Sequence, residues 1–225
     1  MFTETPSFEI AIPLYDGVNL MDVAEAVEMF FWMGELWKAR ATKIVLVAQT
    51  LEPLTSREGV GLVPQAVFGD YEAREYGKPR RQAQLLWTPG GSPAAVKREM
   101  QGGACLDFVA AQSGGADYVG SVCEGALLLA AAGLLDGYCA TTHWAFVPCF
   151  AAFPKIRVAE GFPRYVVDRN RITGGGVSSG IDEALAIIAL LAGEDVAKGV
   201  QMETQYFPKP PFTQTIVPAT HCPLP

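Results

Sequence analysis

The residues best suited to chemistry gather around one cysteine. In Tyr118-Val119-Gly120-Ser121-Val122-Cys123-Glu124-Gly125-Ala126-Leu127-Leu128-Leu129, an apolar strand runs into Cys123, a glycine follows two residues on, and an alanine- and leucine-rich helix begins. This is the layout of a nucleophile elbow, a sharp strand-to-helix turn that lifts one side chain above a sheet and aims a helix N-terminus at it. Small residues at Ser121 and Gly125 let the backbone make that turn. The helix dipole and its free N–H groups then favour a thiolate. The plainer alternative is a cysteine packed in a core strand, but the strand–helix junction favours a nucleophile.

Other chemistry-bearing residues have weaker contexts. Cys105, Cys139 and Cys149 read as packing residues, and Cys222 as exposed in a Pro-rich tail. Five cysteines leave an odd count and no pair has motif spacing, so free thiols in a reducing, cytoplasmic setting are expected rather than a disulfide framework. Of the two histidines, His221 lies in the tail. That leaves His143 as a candidate to activate Cys123, or as a packing residue beside Trp144 whose nitrogens are satisfied locally. Glu124 is either a helix-start acid stabilised by the dipole or a carboxyl acting at the thiol. Asp182 opens a helix and reads as structural. Gly174-Gly175-Gly176 has no following Lys and no GxGxxG spacing, so close backbone packing is expected there rather than a phosphate loop. Trp32, Trp37, Trp87 and Trp144 read as core and interface residues. No metal-ligand spacing is present.

The elements that must position these residues follow from periodicity. Strands are expected at 8–14, 43–48, 84–88 and 116–122, and a hairpin at 165–168 and 171–173 with its turn at Arg169-Asn170. Helices are expected at 19–35, 93–112 with a break at Gly102-Gly103, 125 onward, 144–153, 179–191 and 194–206. Residues 52–68 hold short β-like pieces, and 70–82 a polar loop or short helical insertion. Strands alternating with helices imply an α/β fold with a mostly parallel sheet covered on both faces. Sites in such sheets gather at the carboxyl ends of the strands. Three loops meet that condition: Asp16-Gly17, Pro89-Gly90-Gly91 and Cys123. With no repeat and no linker, the expectation is a single domain over 1–225 whose Pro-rich tail occupies 206–225.

Composition bounds the partners. The chain has 225 residues, is 50% apolar and carries a net charge of −7. That balance argues against nucleic acid and anionic membranes. No cationic leader is visible in residues 1–9, and no apolar run reaches spanning length.

With these residues in place, the chain resembles the ThiJ/PfpI superfamily, also called class I glutamine amidotransferase-like, and within it the isonitrile hydratase branch. The resemblance rests on the elbow with the following Ala140-Thr141-Thr142-His143-Trp144, and on Leu20-Met21-Asp22 with Glu28-Met29-Phe30. It rests further on Thr88-Pro89-Gly90-Gly91, on the stretch from Gly174 to Asp182, and on Gln205-Tyr206-Phe207-Pro208 with the prolines beyond. It implies a flavodoxin-like three-layer α/β/α sandwich and a homodimer. It also implies hydration of an isonitrile to an N-substituted formamide, with no cofactor and no metal. Cys123 would attack the isonitrile carbon, Asp22 would supply the proton and assist water, and backbone N–H groups at Gly90, Gly91 and Glu124 would complete a polar cradle. The spacing of His143 from Cys123 also matches the superfamily, though the branch leaves the proton work to the acid. Two positions depart from the branch pattern: Glu124 stands where Thr is usual, and Glu25-Ala26 where Gly-Pro is usual. Asp22, Glu25 and Glu124 could then crowd one thiol and raise its pKa unless one carboxyl keeps its proton. Glu25 reads alternatively as a solvated position on the first helix. Other cysteine activities of the superfamily, glyoxalase-type hydration or amide hydrolysis, and a non-catalytic small-molecule sensor are the competing expectations.

Overall fold

The computed structural model describes residues 7–72 and 81–225. The N-terminal stretch 1–6 and most of the polar stretch at 70–82 lie outside the described residues. Phe8–Pro13 forms β1, buried at every position. Buried strands of this kind carry near-continuous apolar runs because both faces are covered. Strand β1 pairs in parallel with β2 (Thr42–Ala48) on one side and β6 (Leu85–Thr88) on the other. The short strand β5 (Ala66–Val67) extends the β2 edge, while β3 (Leu54–Thr55) and β4 (Gly61–Leu62) make a small separate hairpin. On the other side, β7 (Tyr118–Ser121) follows β6, β11 (Arg171–Gly174) follows β7, and antiparallel β10 (Tyr165–Asp168) closes that edge. The seven-stranded order is β10-β11-β7-β6-β1-β2-β5.

Helices α1 (Leu20–Leu36), α5 (Ser179–Ala192) and α6 (Glu194–Glu203) pack together on one face. Helices α2 (Pro93–Met100), α3 (Ala104–Ser113) and α4 (Gly125–Ala131) pack together on the other. The three-layer α/β/α arrangement and the break at Gly102-Gly103 are as the sequence implies. Trp87 is fully buried and meets Phe30 of α1 edge-on at 5.6 Å, which ties the sheet to that helix. Among the described residues, no helix is long and apolar enough to cross a membrane.

Three expectations need correction. Residues 144–152 form a 3-10 stretch rather than an α-helix. Pro148 lies inside it, with no N–H to continue an α ladder. Helix α6 ends at Glu203, three residues short of its expected end, and Arg157–Val158 forms an unanticipated strand, β9, paired with β8 (Cys139–Ala140). The free-thiol reading fails for one pair: Cys149 and Cys222 form a disulfide, while Cys105, Cys123 and Cys139 are free. Spacing could not show this pair, because the sequence separation is 73 residues and only the returning tail brings the two thiols together.

Candidate active site

The sheet reverses its strand order around β1 and β6, and the carboxyl ends of β1, β6 and β7 meet there, as expected at a topological switch point. The loops after β1 and β6 are stitched together. Asn19 N–H donates to Gly90 O at 2.9 Å and Ser92 N–H to Gly17 O at 2.8 Å. The Gly-rich loop also presses on the elbow, since a Cβ at Gly90 would lie 2.7 Å from Glu124 N and 2.9 Å from Cys123 Cβ. At Gly125 a Cβ would collide with Thr88 O. Both glycines are therefore required by close approach.

Cys123 sits at the turn with φ 56°. A non-glycine residue in this left-handed region carries strain of about 1–2 kcal/mol, sustained here by two bonds: Cys123 N–H donates to Gly175 O at 2.8 Å, and Thr142 Oγ1 donates to Cys123 O at 2.8 Å. The expected elbow is thus present. The expected resting thiolate is not. Burial first, then Asp22 and Glu124, push the Cys123 thiol well above its ordinary value, and the Val177 N–H offsets only part of this. The dipole of a helix of only two turns does not outweigh full burial beside two carboxyls.

Asp22 lies in the first turn of α1, capped by Asn19, whose Oδ1 accepts from Met21 N–H at 3.0 Å. Its carboxyl is fully buried and Oδ2 accepts from Gly90 N–H at 2.9 Å. Burial raises it to about 8 against the pull of that N–H, and Glu124 adds to the rise. Asp22 therefore keeps its proton at neutral pH. The same bond engages Gly90 N–H, and Cys123 N–H is engaged with Gly175, so of the expected cradle the Gly91 and Glu124 N–H groups remain.

Glu25 is buried rather than solvated, against Gly180 at the start of α5. Neither of its oxygens has a hydrogen-bond partner, and burial with the nearby Asp22 raises it to about 9. Sequence reading missed a further acid, Glu183 of α5, fully buried against Gly120 and Gly174. Neither of its oxygens has a partner in hydrogen-bonding geometry; burial and Glu25 push it well up, and the nearby Ser121 N–H only partly offsets them. Its position among Gly180, Ala184 and Ile187 on the buried stripe was the available signal. Glu124 is buried at the start of α4, within hydrogen-bond reach of the Cys123 sulfur.

His143 does not pair with Cys123 by a hydrogen bond. Its Nδ1 accepts from Ala145 N–H at 3.2 Å, its ring lies 5.5 Å from Trp144, and burial lowers its pKa. The packing reading describes it. Asp182 pairs with Arg164 and accepts from Tyr206 Oη at 3.1 Å, a structural role. The glycines at 174–176 allow close packing, as expected, with Glu183 and His143 filling the space. A pocket of about 400 Å³ opens beside the elbow. Cys123 does not line it, but Thr142 and Val177, which bond to Cys123 through a hydroxyl and an N–H, do, with Met21 next to Asp22. Among the described residues, no group of three or more His, Cys, Asp or Glu could hold a metal ion.

A buried cysteine at a strand-to-helix turn, with the buried carboxyls of Asp22 and Glu124 beside it, thus lies at the switch point of an α/β sheet. The chain belongs to the DJ-1/PfpI family, which it matches over residues 9–190. It is 40% identical over 206 residues to the isonitrile hydratase of Pseudomonas putida, covering 92% of this chain and 82% of that one. It is 36% identical over 193 residues to the HTH-type transcriptional regulator GbdR of Pseudomonas aeruginosa, spanning 85% of this chain but only 48% of the regulator. The crystal structure of a ThiJ/PfpI family protein from Pseudomonas syringae superposes with TM-score 0.79 at 36% identity, covering 93% of this chain and 79% of that one. Drosophila melanogaster DJ-1beta shares the fold, with TM-score 0.72 at 19% identity over 89% of this chain and 98% of its own.

Proposed function

We propose that this chain is a cofactor-independent isonitrile hydratase. The observation that carries the reading is Asp22, a buried carboxyl held neutral beside an elbow cysteine; an isonitrile carbon needs both a nucleophile and a proton. The Cys123 sulfur adds to the terminal carbon while Asp22 delivers its proton to that carbon. Glu124, at hydrogen-bond reach of the sulfur, takes the S–H proton and returns it to Asp22. The product is a thioimidate on Cys123. Water then adds to the thioimidate carbon, one of its protons passes through the acids to nitrogen, and the C–S bond breaks. N-substituted formamide leaves and the Cys123 thiol re-forms, so the net reaction consumes one isonitrile and one water. A thiol that stays protonated at rest suits this sequence, because it loses its proton only as the electrophile is protonated. The Gly91 and Glu124 N–H groups supply the remaining polar contacts.

The relative of 40% identity supports this chemistry. The match to about half of an HTH-type regulator favours one second reading, a small-molecule sensor. Incubation with cyclohexyl isonitrile and with methylglyoxal separates the options. Formamide from the isonitrile is expected. Lactate from methylglyoxal alone would move the chain to glyoxalase-type chemistry, and specific binding without turnover would make it a sensor. We propose that the enzyme acts on a small molecule as a homodimer, without nucleic-acid or membrane partners.

A further inference from the structure

After α6 the chain returns to the pocket, where Ile216 joins the lining. Tyr206 fixes the start of this segment, accepting from Arg164 Nη2 at 3.4 Å and donating to Asp182. Residues 208–225 then carry no regular secondary structure, and no backbone–backbone hydrogen bond holds them to the rest of the described residues. Phe212 and Val217 point into solvent at 81% and 74% exposure. Ile216 between them is less exposed, at 44%, because part of its side chain faces the pocket. It joins Met21, Trp144, Phe162 and Arg164 in the pocket wall.

The segment is held at its far end by the Cys149–Cys222 disulfide, by Leu224 packed on the core, and by Lys97 donating to Pro225 O. Cys149 belongs to the 3-10 stretch that begins at Trp144. The cross-link therefore ties the segment carrying Ile216 to the element carrying Trp144, and both side chains line the pocket. Two walls joined in this way can part only as far as the six residues from Ile216 to Cys222 allow. A segment without ladder bonds would otherwise open locally at little cost.

We propose that residues 208–225 form a strap in which Ile216 sets the size of the substituent the site admits, and that the Cys149–Cys222 cross-link holds the strap in place. The substrates favoured with the strap closed carry a compact apolar substituent, and opening admits bulkier ones. Reduction by a dithiol releases the strap: two electrons and two protons reach the Cys149 and Cys222 sulfurs, and the dithiol leaves as its own disulfide. The proposal rests on reading this pocket as the route to Cys123, but not on the isonitrile chemistry.

The test is the alkylation rate of Cys123, followed by peptide mapping, with iodoacetamide and with a bulky N-aryl iodoacetamide. The variants are Ile216→Ala and Ile216→Trp, which keep the cross-link, and the double variant Cys149→Ser/Cys222→Ser. The ratio of bulky to small labelling is expected to rise about ten-fold in Ile216→Ala and in the double variant, the scale of one or two methylene groups in a pocket. It should fall in Ile216→Trp. Wild type reduced by a dithiol, with the dithiol then removed, should behave as the double variant does. A ratio unchanged in both Ile216 variants overturns the size-setting role. A double variant that matches wild type overturns the role of the cross-link. If these ratios shift while no isonitrile is hydrated, the strap stands and the hydratase reading falls.

Discussion

Asp22 is the residue on which the chemistry turns, because its environment decides which form it takes at neutral pH. Burial disfavours the carboxylate more than the single Gly90 N–H stabilises it, so the acid form persists to about pH 8. The acid is the form that protonates the isonitrile carbon. Turnover is therefore expected to be sustained below about pH 8 and to fall as pH rises through that value, read from kcat against pH. A profile that instead climbs through pH 8 would assign the proton donor elsewhere. Asp22→Asn leaves the shape but removes the proton, and should cost about a hundred- to ten-thousand-fold in kcat with an unchanged circular dichroism spectrum. Activity close to wild type would move the role to Glu124 or Glu25. Cys123, Glu124 and the Gly-rich loop were legible because an elbow has a local sequence pattern. Asp22 was legible only through resemblance. Glu183 was not read at all: its place on the apolar stripe marked it as buried, but what it faces depends on how α1 and the sheet pack against α5.

Helices α1 and α5 bring Glu25 and Glu183 into one buried space, and the slots that receive them are cut by glycines of the neighbouring elements, Gly180, Gly174 and Gly120. The runs of strand and helix were readable from periodicity because each element buries a face of matching period. What periodicity could not show was how faces meet. The disulfide, the β8–β9 pairing and the acids between α1 and α5 all depend on contacts between distant segments. Two carboxyls without partners are a cost to the fold, since a buried polar group lacking hydrogen bonds loses its hydration for nothing in return. Glu183→Leu should therefore stabilise the protein by about 1–3 kcal/mol at neutral pH, measured by urea denaturation. A loss of stability would show that the Glu183 carboxyl makes a favourable interaction that its surroundings do not reveal.

On the scale of the whole molecule, the surface and the buried acids act together. Met21 and Phe31 of α1, and Leu51, Val60 and Val63 around the small β3–β4 hairpin, are large apolar side chains left in solvent. Glu58 of that hairpin accepts from Leu20 N–H at 2.9 Å, so the hairpin lies beside the start of α1, where Met21 is exposed. An apolar area of this kind is most simply covered by a second copy, and a dimer mass is expected in sedimentation at micromolar concentration; a clean monomer mass would count against it. The net charge of −7 counts every carboxyl as ionised, whereas Asp22, Glu25 and Glu183 hold protons in the folded state. All three have folded pKa values above the ordinary carboxylate range, Asp22 at about 8 and Glu25 at about 9. Their contribution to stability is thus fully present below about pH 4, where the unfolded chain is protonated too. As pH rises from about 4 toward the folded values, the unfolded chain loses protons that the folded chain keeps, and the contribution drains away. Asp168 has the opposite sign. Held low by the Cys139 N–H and Arg169, it costs stability only as pH falls through its depressed pKa. The stability maximum should therefore lie on the acid side of neutrality, with stability falling continuously between about pH 5 and 9. Urea midpoints across that range measure it, and Glu183→Leu should flatten the slope. Stability that holds level or rises toward pH 9 would mean that the three acids are ionised in the folded protein, and the neutral proton donor at Asp22 would go with them.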